Sequence, residues 1–408
     1  MKKTLIILSI IIIIVGVAVL FYIFTRPSSP PATATQPGQT GSLPGAPTQQ
    51  ISSSTTNGGT GSSTAARFGV ISNDPAIAYY VDAENNATIV EPNGFIETIT
   101  NGQGTVISSS TAQNILSASF SYDGKKLLIN FGSASNPQTG VFDIASRSWT
   151  GLPQGMLDPV WSPYNYQIAY LASGAGGTEN ITVLNAAAKN PQPSVLTQLN
   201  MEDMALQWPN RSTLVISDKP SAYTVSSAWL FNLSARTLAP VVYEYPGMES
   251  IWSNATTTTG LVFSGNTGNQ GGRIFLVSPS GNPENITFVT LPSKCVFSMA
   301  AGAPQASSTV ASSTANGTPR ALASSTLDLY CAVPRDQATL AIARLPDEYI
   351  QKVIFTADDF YMINTTDGSL SSVFSNPNLN LDATDLNAFN NTLFFINRYD
   401  QKLYGISI

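Results

Sequence analysis

Histidine is absent from all 408 residues, cysteine occurs twice, and Asp, Glu, Lys and Arg together make up only 11% of the chain. Without histidine there is no Ser-His-Asp or Cys-His arrangement, no imidazole metal ligand and no side chain whose ordinary pKa sits near neutrality. No Gly-x-Ser-x-Gly elbow, no phosphate-cradling Gly-rich loop with Lys and no Cys-x-x-Cys pair occurs. Two cysteines alone supply too few soft ligands for structural zinc, so neither a metal nor a cofactor is expected. Basic residues number 19 against 25 acidic, for a net charge of −6, and no Lys/Arg stripe is visible. That balance argues against nucleic acid and anionic lipid surfaces as partners.

Long hydrophobic runs are equally scarce, with one exception. Residues 4–24 carry no charge, and at about 1.5 Å per residue a helix of that length spans roughly 30 Å, the thickness of a bilayer core. Lys2 and Lys3 precede the run and only Arg26 closely follows it, so residues 1–3 stay in the cytoplasm and the bulk of the chain is extracytoplasmic. We read a single-pass signal anchor in the cell membrane; cleavage after Ala32-Thr33-Ala34 is the alternative. Residues 25–66 are almost all Ser, Thr, Pro, Gly, Ala and Gln. They cannot bury enough surface to offset their ordering entropy, and form a disordered tether with a reach of roughly 35 Å.

Residues 67–408 repeat one unit. Phe120-Ser121-Tyr122-Asp123-Gly124 leads into Leu127-Leu128-Ile129, and Trp161-Ser162-Pro163 into Ile168-Ala169-Tyr170. Each is an aromatic residue ending one strand, a tight polar turn, and an apolar strand running back. Further anchors are Val70 before Ile77, Trp208 before Leu214, Trp252 before Leu261, Phe297 before Leu329 and Leu386 before Leu393. A strand-rich unit recurring at roughly forty to fifty residues is a propeller blade, which buries its faces only by stacking on its neighbours. The expected fold class is therefore all-β, a β-propeller of seven four-stranded blades, with six blades or an open ring as alternative counts. The segment around Arg67-Phe68-Gly69-Val70 is a candidate for the strand that seals the ring; if it does, the first blade begins later than Val70. Recurrence of Trp161, Trp208 and Trp252 at one blade position points to packing between blades, against a ligand platform.

The anchors at Phe120 and Trp161 resemble the blade repeats of the TolB-like and WD-like propellers and of the propeller domains attached to prolyl peptidases. Trp208, Trp252 and Phe297 match that pattern in part. The resemblance implies a binding or scaffolding ring, and a fold does not choose among functions.

Cys295 falls in the first strand of the sixth unit and Cys331 in its second, separated by a low-complexity insertion at about 301–325. Neighbouring antiparallel strands bring such residues into disulfide range, and an exported compartment is oxidising. The bond is expected, with two buried free thiols as the alternative.

Carboxylates remain as the source of chemistry. Glu202, Asp203, Asp358, Asp359, Asp382 and Asp385 are the candidate acids for a two-carboxylate glycosidase, and Asp358-Asp359 beside Phe360-Tyr361 is the pair to test first. The bland reading is that these acids cap their own turns. Asp82 could likewise cap a loop or hold a cation weakly. Residues 334–350 break the strand pattern, with Leu340, Ile342 and Leu345 at helix-compatible spacing; such an excursion decorates a rim where partners bind. The leading functional expectation is a membrane-anchored binding or scaffolding module for a protein, peptide or wall polymer. The alternatives are a carboxylate-dependent carbohydrate-active enzyme and an architectural surface subunit.

Overall fold

The computed structural model describes residues 68–408 apart from 109–110, 135, 255–257, 267, 269, 280–282, 300–326 and 367. The anchor at 4–24, the tether at 25–66 and the insertion at 301–325 lie outside the described residues. No described helix is long and apolar enough to cross a membrane.

Seven antiparallel sheets of four strands each make a seven-bladed β-propeller. Their first strands, Ala78–Val81, Ile115–Phe120, Leu157–Trp161, Met204–Asn210, Glu249–Trp252, Cys295–Met299 and Ala383–Phe389, line the centre, each next to the first strand of the following blade. The ring is sealed by the N-terminal strand. Phe68–Val70 is the outermost strand of blade 7 and pairs with Leu403–Ser407, placing Gly69 opposite Gly405 and Val70 opposite Tyr404.

This closure corrects the first anchor. Val70 begins no blade, and Ala78–Val81 is the inner strand of blade 1, where it had been expected as a second strand. The anchor place in blade 1 belongs to Val81, which is buried against Phe394 and Ile396 of blade 7 and returns through Ala87–Val90. An aliphatic residue followed by Asp82-Ala83-Glu84-Asn85 carries none of the aromatic-Ser-turn signal. Asp82 caps that turn, its carboxylate accepting from Glu84 N at 3.0 Å and Asn86 N at 2.8 Å.

The recurrent tryptophans are packing residues. Trp161 is buried among Leu128 and Val141 of blade 2 and Ile168 and Leu184 of its own blade, and its indole N–H donates to Ser119 O of the neighbouring blade at 3.0 Å. Trp208 packs between blades 3 and 4 and Trp252 between blades 4 and 5, without an indole hydrogen bond to the neighbouring blade: that of Trp252 donates to Ser250 Oγ in its own strand. Full burial of side chains this large contributes on the order of 2–3 kcal/mol each, so the ring is held by its blade-to-blade seams. Gly124 shows how tightly a seam closes. Its φ of +69° suits glycine, and a Cβ there would also strike the Tyr80 ring of blade 1 at 2.2 Å.

In blade 6, Cys295 and Cys331 are register partners on the first two strands and form a disulfide with Cα atoms 4.1 Å apart. The second and third strands of this blade are joined by the 334–350 excursion, which is helical as its spacing suggests: α1 (Gln337–Ile342), capped by Asp336, and α2 (Asp347–Ile350).

Candidate functional site

The excursion lies on the face of the ring where the inner strands begin, because it leaves from the end of a second strand. Leu340, Ala343, Leu345 and Tyr349 turn inward onto the core shared by blades 5 and 6. Asp347 accepts from Ala222 N, and Arg344 donates to Tyr223 OH at 3.0 Å, so it also reaches blade 4. Its outer side is apolar and wet: Ile342 is 69% exposed, Ile350 56% and Val353 63%. Phe355 and Tyr399 stack beside them at 5.3 Å.

Beneath α2 sits a buried ionic cluster. Lys294, at the end of the 3-10 turn Pro292–Lys294, is almost fully enclosed. Its ammonium lies 2.8 Å from Asp358 Oδ2 and 2.7 Å from Asp382 Oδ1, and it donates to Tyr349 OH and Thr356 Oγ1, both at 3.1 Å. Arg398 Nη1 meets Asp382 Oδ2 at 2.8 Å, while Nη2 donates to Tyr349 O at 2.6 Å. The guanidinium lies 3.7 Å from the centroid of the Tyr349 ring. Two cations and two carboxylates cancel, which is what allows them to be dry. Burial pulls the Lys294 ammonium down, but Asp358, Tyr349 and Asp382 outweigh it and hold it above its usual range, so it stays charged. Burial raises the Asp382 carboxyl, and Lys294 and Arg398 outweigh that and keep it below its usual range.

The expectation that Asp358 and Asp382 cap their own turns is therefore corrected. Asp358 does accept from Ala383 N at 2.8 Å, yet that bond crosses to blade 7, and both acids chiefly serve Lys294. Asp359, the neighbour of Asp358, points the other way and binds Arg335 Nε at 2.8 Å. The two members of that pair do not face one cleft. Glu202 and Asp203 are exposed at the start of blade 4, where Asp203 pairs with Lys219. Lys294, Arg398, Tyr349 and Thr356 were not singled out from the sequence. The available signal was a lysine set between Pro292 and the strand Cys295-Val296-Phe297, in a chain with few charges.

Asp385 alone among the six candidates opens on the mouth of the central channel. With Ser293, Tyr349, Ile350, Lys352 and Arg398 it lines a cavity of about 290 Å3. Asp385 is reached by solvent, yet the protein packed around it opposes its charge and pushes its carboxyl up to about 6. The other charged residues of the lining, Lys352 and Arg398, are basic, so the cavity presents one acid beside two cations and an exposed isoleucine. It can hold a mixed polar and apolar group of small-ligand size, such as a peptide side chain or terminus. No set of three or more Asp, Glu, Cys or His among the described residues is placed to hold a metal ion.

The chain matches no family model and no curated protein sequence. Solved structures similar to it are propellers. A catalytically inactive virginiamycin B lyase from Staphylococcus aureus, with quinupristin, shares 10% identity at a TM-score of 0.50, covering 84% of this chain and 99% of the lyase. A structure from work on two prolyl endopeptidases shares 12% identity at 0.49, covering 83% of this chain and 51% of that one, so the present chain spans about half its length. An oligogalacturonate lyase in complex with manganese shares 11% identity at 0.48. At such identities the likeness is one of fold alone.

Proposed function

We propose that this chain is a membrane-anchored, extracytoplasmic propeller that binds a protein, a peptide or an envelope polymer at the mouth of its ring, and that it does so without catalysing a reaction. The observation that carries the reading is the excursion of blade 6. It is fixed from below by a dry ionic cluster and presents Ile342, Ile350 and Val353 to solvent beside an open cavity. Exposed apolar side chains on a rigidly seated element mark an interaction surface, and the protein or peptide reading suits them best. Of the pair first named for a two-acid mechanism, Asp358 is engaged by Lys294 in the interior and Asp359 by Arg335, and Asp382 is likewise held by Lys294. Residues 4–24 and the charge bias around them supply the anchor and orientation, and 25–66 the spacing from the membrane.

The test is crosslinking on intact cells followed by capture of the full chain, run beside Ile350→Asp and Val353→Asp. A partner that crosslinks to the wild type and is lost in both variants supports the reading. A crosslinking pattern indifferent to both sinks it. Protease added outside intact cells should degrade the propeller; protection in intact cells with degradation only after lysis contradicts the orientation.

A further inference from the structure

A larger cavity, about 470 Å3, lies on blade 2 where it faces blade 1, and it shares no lining residue with the mouth. It exists because two side chains are missing. Gly140 and Gly151 are register partners on the third and outermost strands, so at that point of one face the alternation supplies no side chain; the Trp149 ring leans over Gly140, and over Gly151 the space is open. Neither glycine has a left-handed φ, so the backbone would accept other residues, and what the pair supplies is space. On the same face Phe131 stands opposite Gln138 on one side of the gap, and Phe142 opposite Trp149 on the other. The Trp149 ring rests on Phe142 with centroids 5.0 Å apart, which sets its orientation. One flank is pinned in place, Leu152 N donating to Thr139 O at 2.9 Å and Gly155 N to Pro137 O at 3.4 Å. Thr111 and Ala112 form the opposite flank.

We propose that this groove binds an uncharged sugar chain. None of its lining residues is ionisable; beside the two glycines they are the aromatics Phe131 and Trp149, the amides Gln138 and Gln154, three threonines, and the aliphatic Ala112 and Leu152. A charged ligand would lose water there with no opposite charge to meet it. A wholly apolar one would leave the amides of Gln138 and Gln154 unpaired. A pyranose ring satisfies both halves: its C–H face lies against an indole, and its hydroxyls give and take hydrogen bonds with amides, which carry both donors and acceptors. The volume falls within the range of small-ligand sites.

The experiment uses the full chain in a detergent without a sugar headgroup, titrated calorimetrically with cello-, malto-, manno- and chito-oligosaccharides. Trp149→Ala removes the platform, and Gly151→Leu fills the gap from a position where an added Cβ meets nothing within 4 Å. Binding by the wild type that falls roughly tenfold or more in both variants, with Gly151→Leu unfolding as the wild type does, is the expected result. Absence of binding to every oligosaccharide overturns the proposal, as does binding that survives both substitutions. Retention of a peptide in place of the sugars would overturn it too. Each of these failures leaves the mouth-binding reading standing, since that is read on Ile350 and Val353.

Discussion

Phe68 stacks on Tyr404 with ring centroids 5.3 Å apart, although the two belong to the first and last strands of the described chain. Phe68 also stacks on Phe374 of blade 6 at 5.5 Å, so one side chain ties the closing strand to two blades. A half-buried phenylalanine in this setting stabilises by about 2 kcal/mol. Phe68→Ala should lower the urea midpoint correspondingly with m unchanged. Deleting residues 68–70 should expose Leu403–Ser407 as an open edge and promote self-association, read by light scattering.

Lys294 joins two buried carboxylates, and removing it leaves Asp358 with no opposing cation and Asp382 with Arg398 alone. Lys294→Met should destabilise the fold by about 3 to 5 kcal/mol in chemical denaturation. Asp382→Asn added to that background should cost less than it does alone, because the ion pair with Lys294 that it breaks is then already gone. Additive losses would show that the cluster does not act as a unit.

The disulfide closes a separation of 36 residues. The loop-entropy relation puts its contribution at roughly 3 to 4 kcal/mol. Without reductant, neither Cys295 nor Cys331 should take up a thiol reagent in the denatured chain, and the double Cys→Ser variant should unfold at a lower midpoint by that amount. Labelling without reductant would remove the bond from the picture.

Asp385 and Asp143 should oppose each other in the pH dependence of stability. Asp385 is raised to about 6 in the folded chain, so between an unfolded value of about 3.9 and 6 the folded state holds more protons. Stability from this group therefore falls as pH rises through that window, and Asp385→Asn should flatten the profile there. Asp143 is lowered to about 2, first by its hydrogen bond from Lys126, then by Ser146. Its contribution is present above the unfolded value and lost as pH falls towards 2, reduced by the solvent around this half-exposed pair. Midpoints measured from pH 2 to 8 on the two Asn variants separate the effects.

The blade pattern was legible wherever an aromatic residue met a Ser-containing turn, as at Phe120 and Trp161, because local turn chemistry and strand alternation are carried by adjacent residues. It failed at Val81, where the same place is held by an aliphatic side chain and a different turn. The pairing of Cys295 with Cys331 was legible for a similar reason, since neighbouring strands of one hairpin must oppose each other. The candidate acids were found as residues but not as roles. Lys294 is 88 positions from Asp382, and nothing in either neighbourhood records that Asp382 and Arg398 of blade 7 would close over it.

The all-β class, the repeating blade, the exclusion of histidine chemistry and the cysteine pair can be read from the chain alone, because they follow from composition and from contacts between near neighbours. Phe68–Val70 is already a candidate for the closing strand in the sequence; its register against Leu403–Ser407, the engagement of Asp358 and Asp382 by Lys294, and the groove over Gly140 and Gly151 emerge in the tertiary structure alone. Each of these depends on which strands end up side by side once seven blades pack into a ring, and that is a property of long-range burial that no short stretch of chain contains.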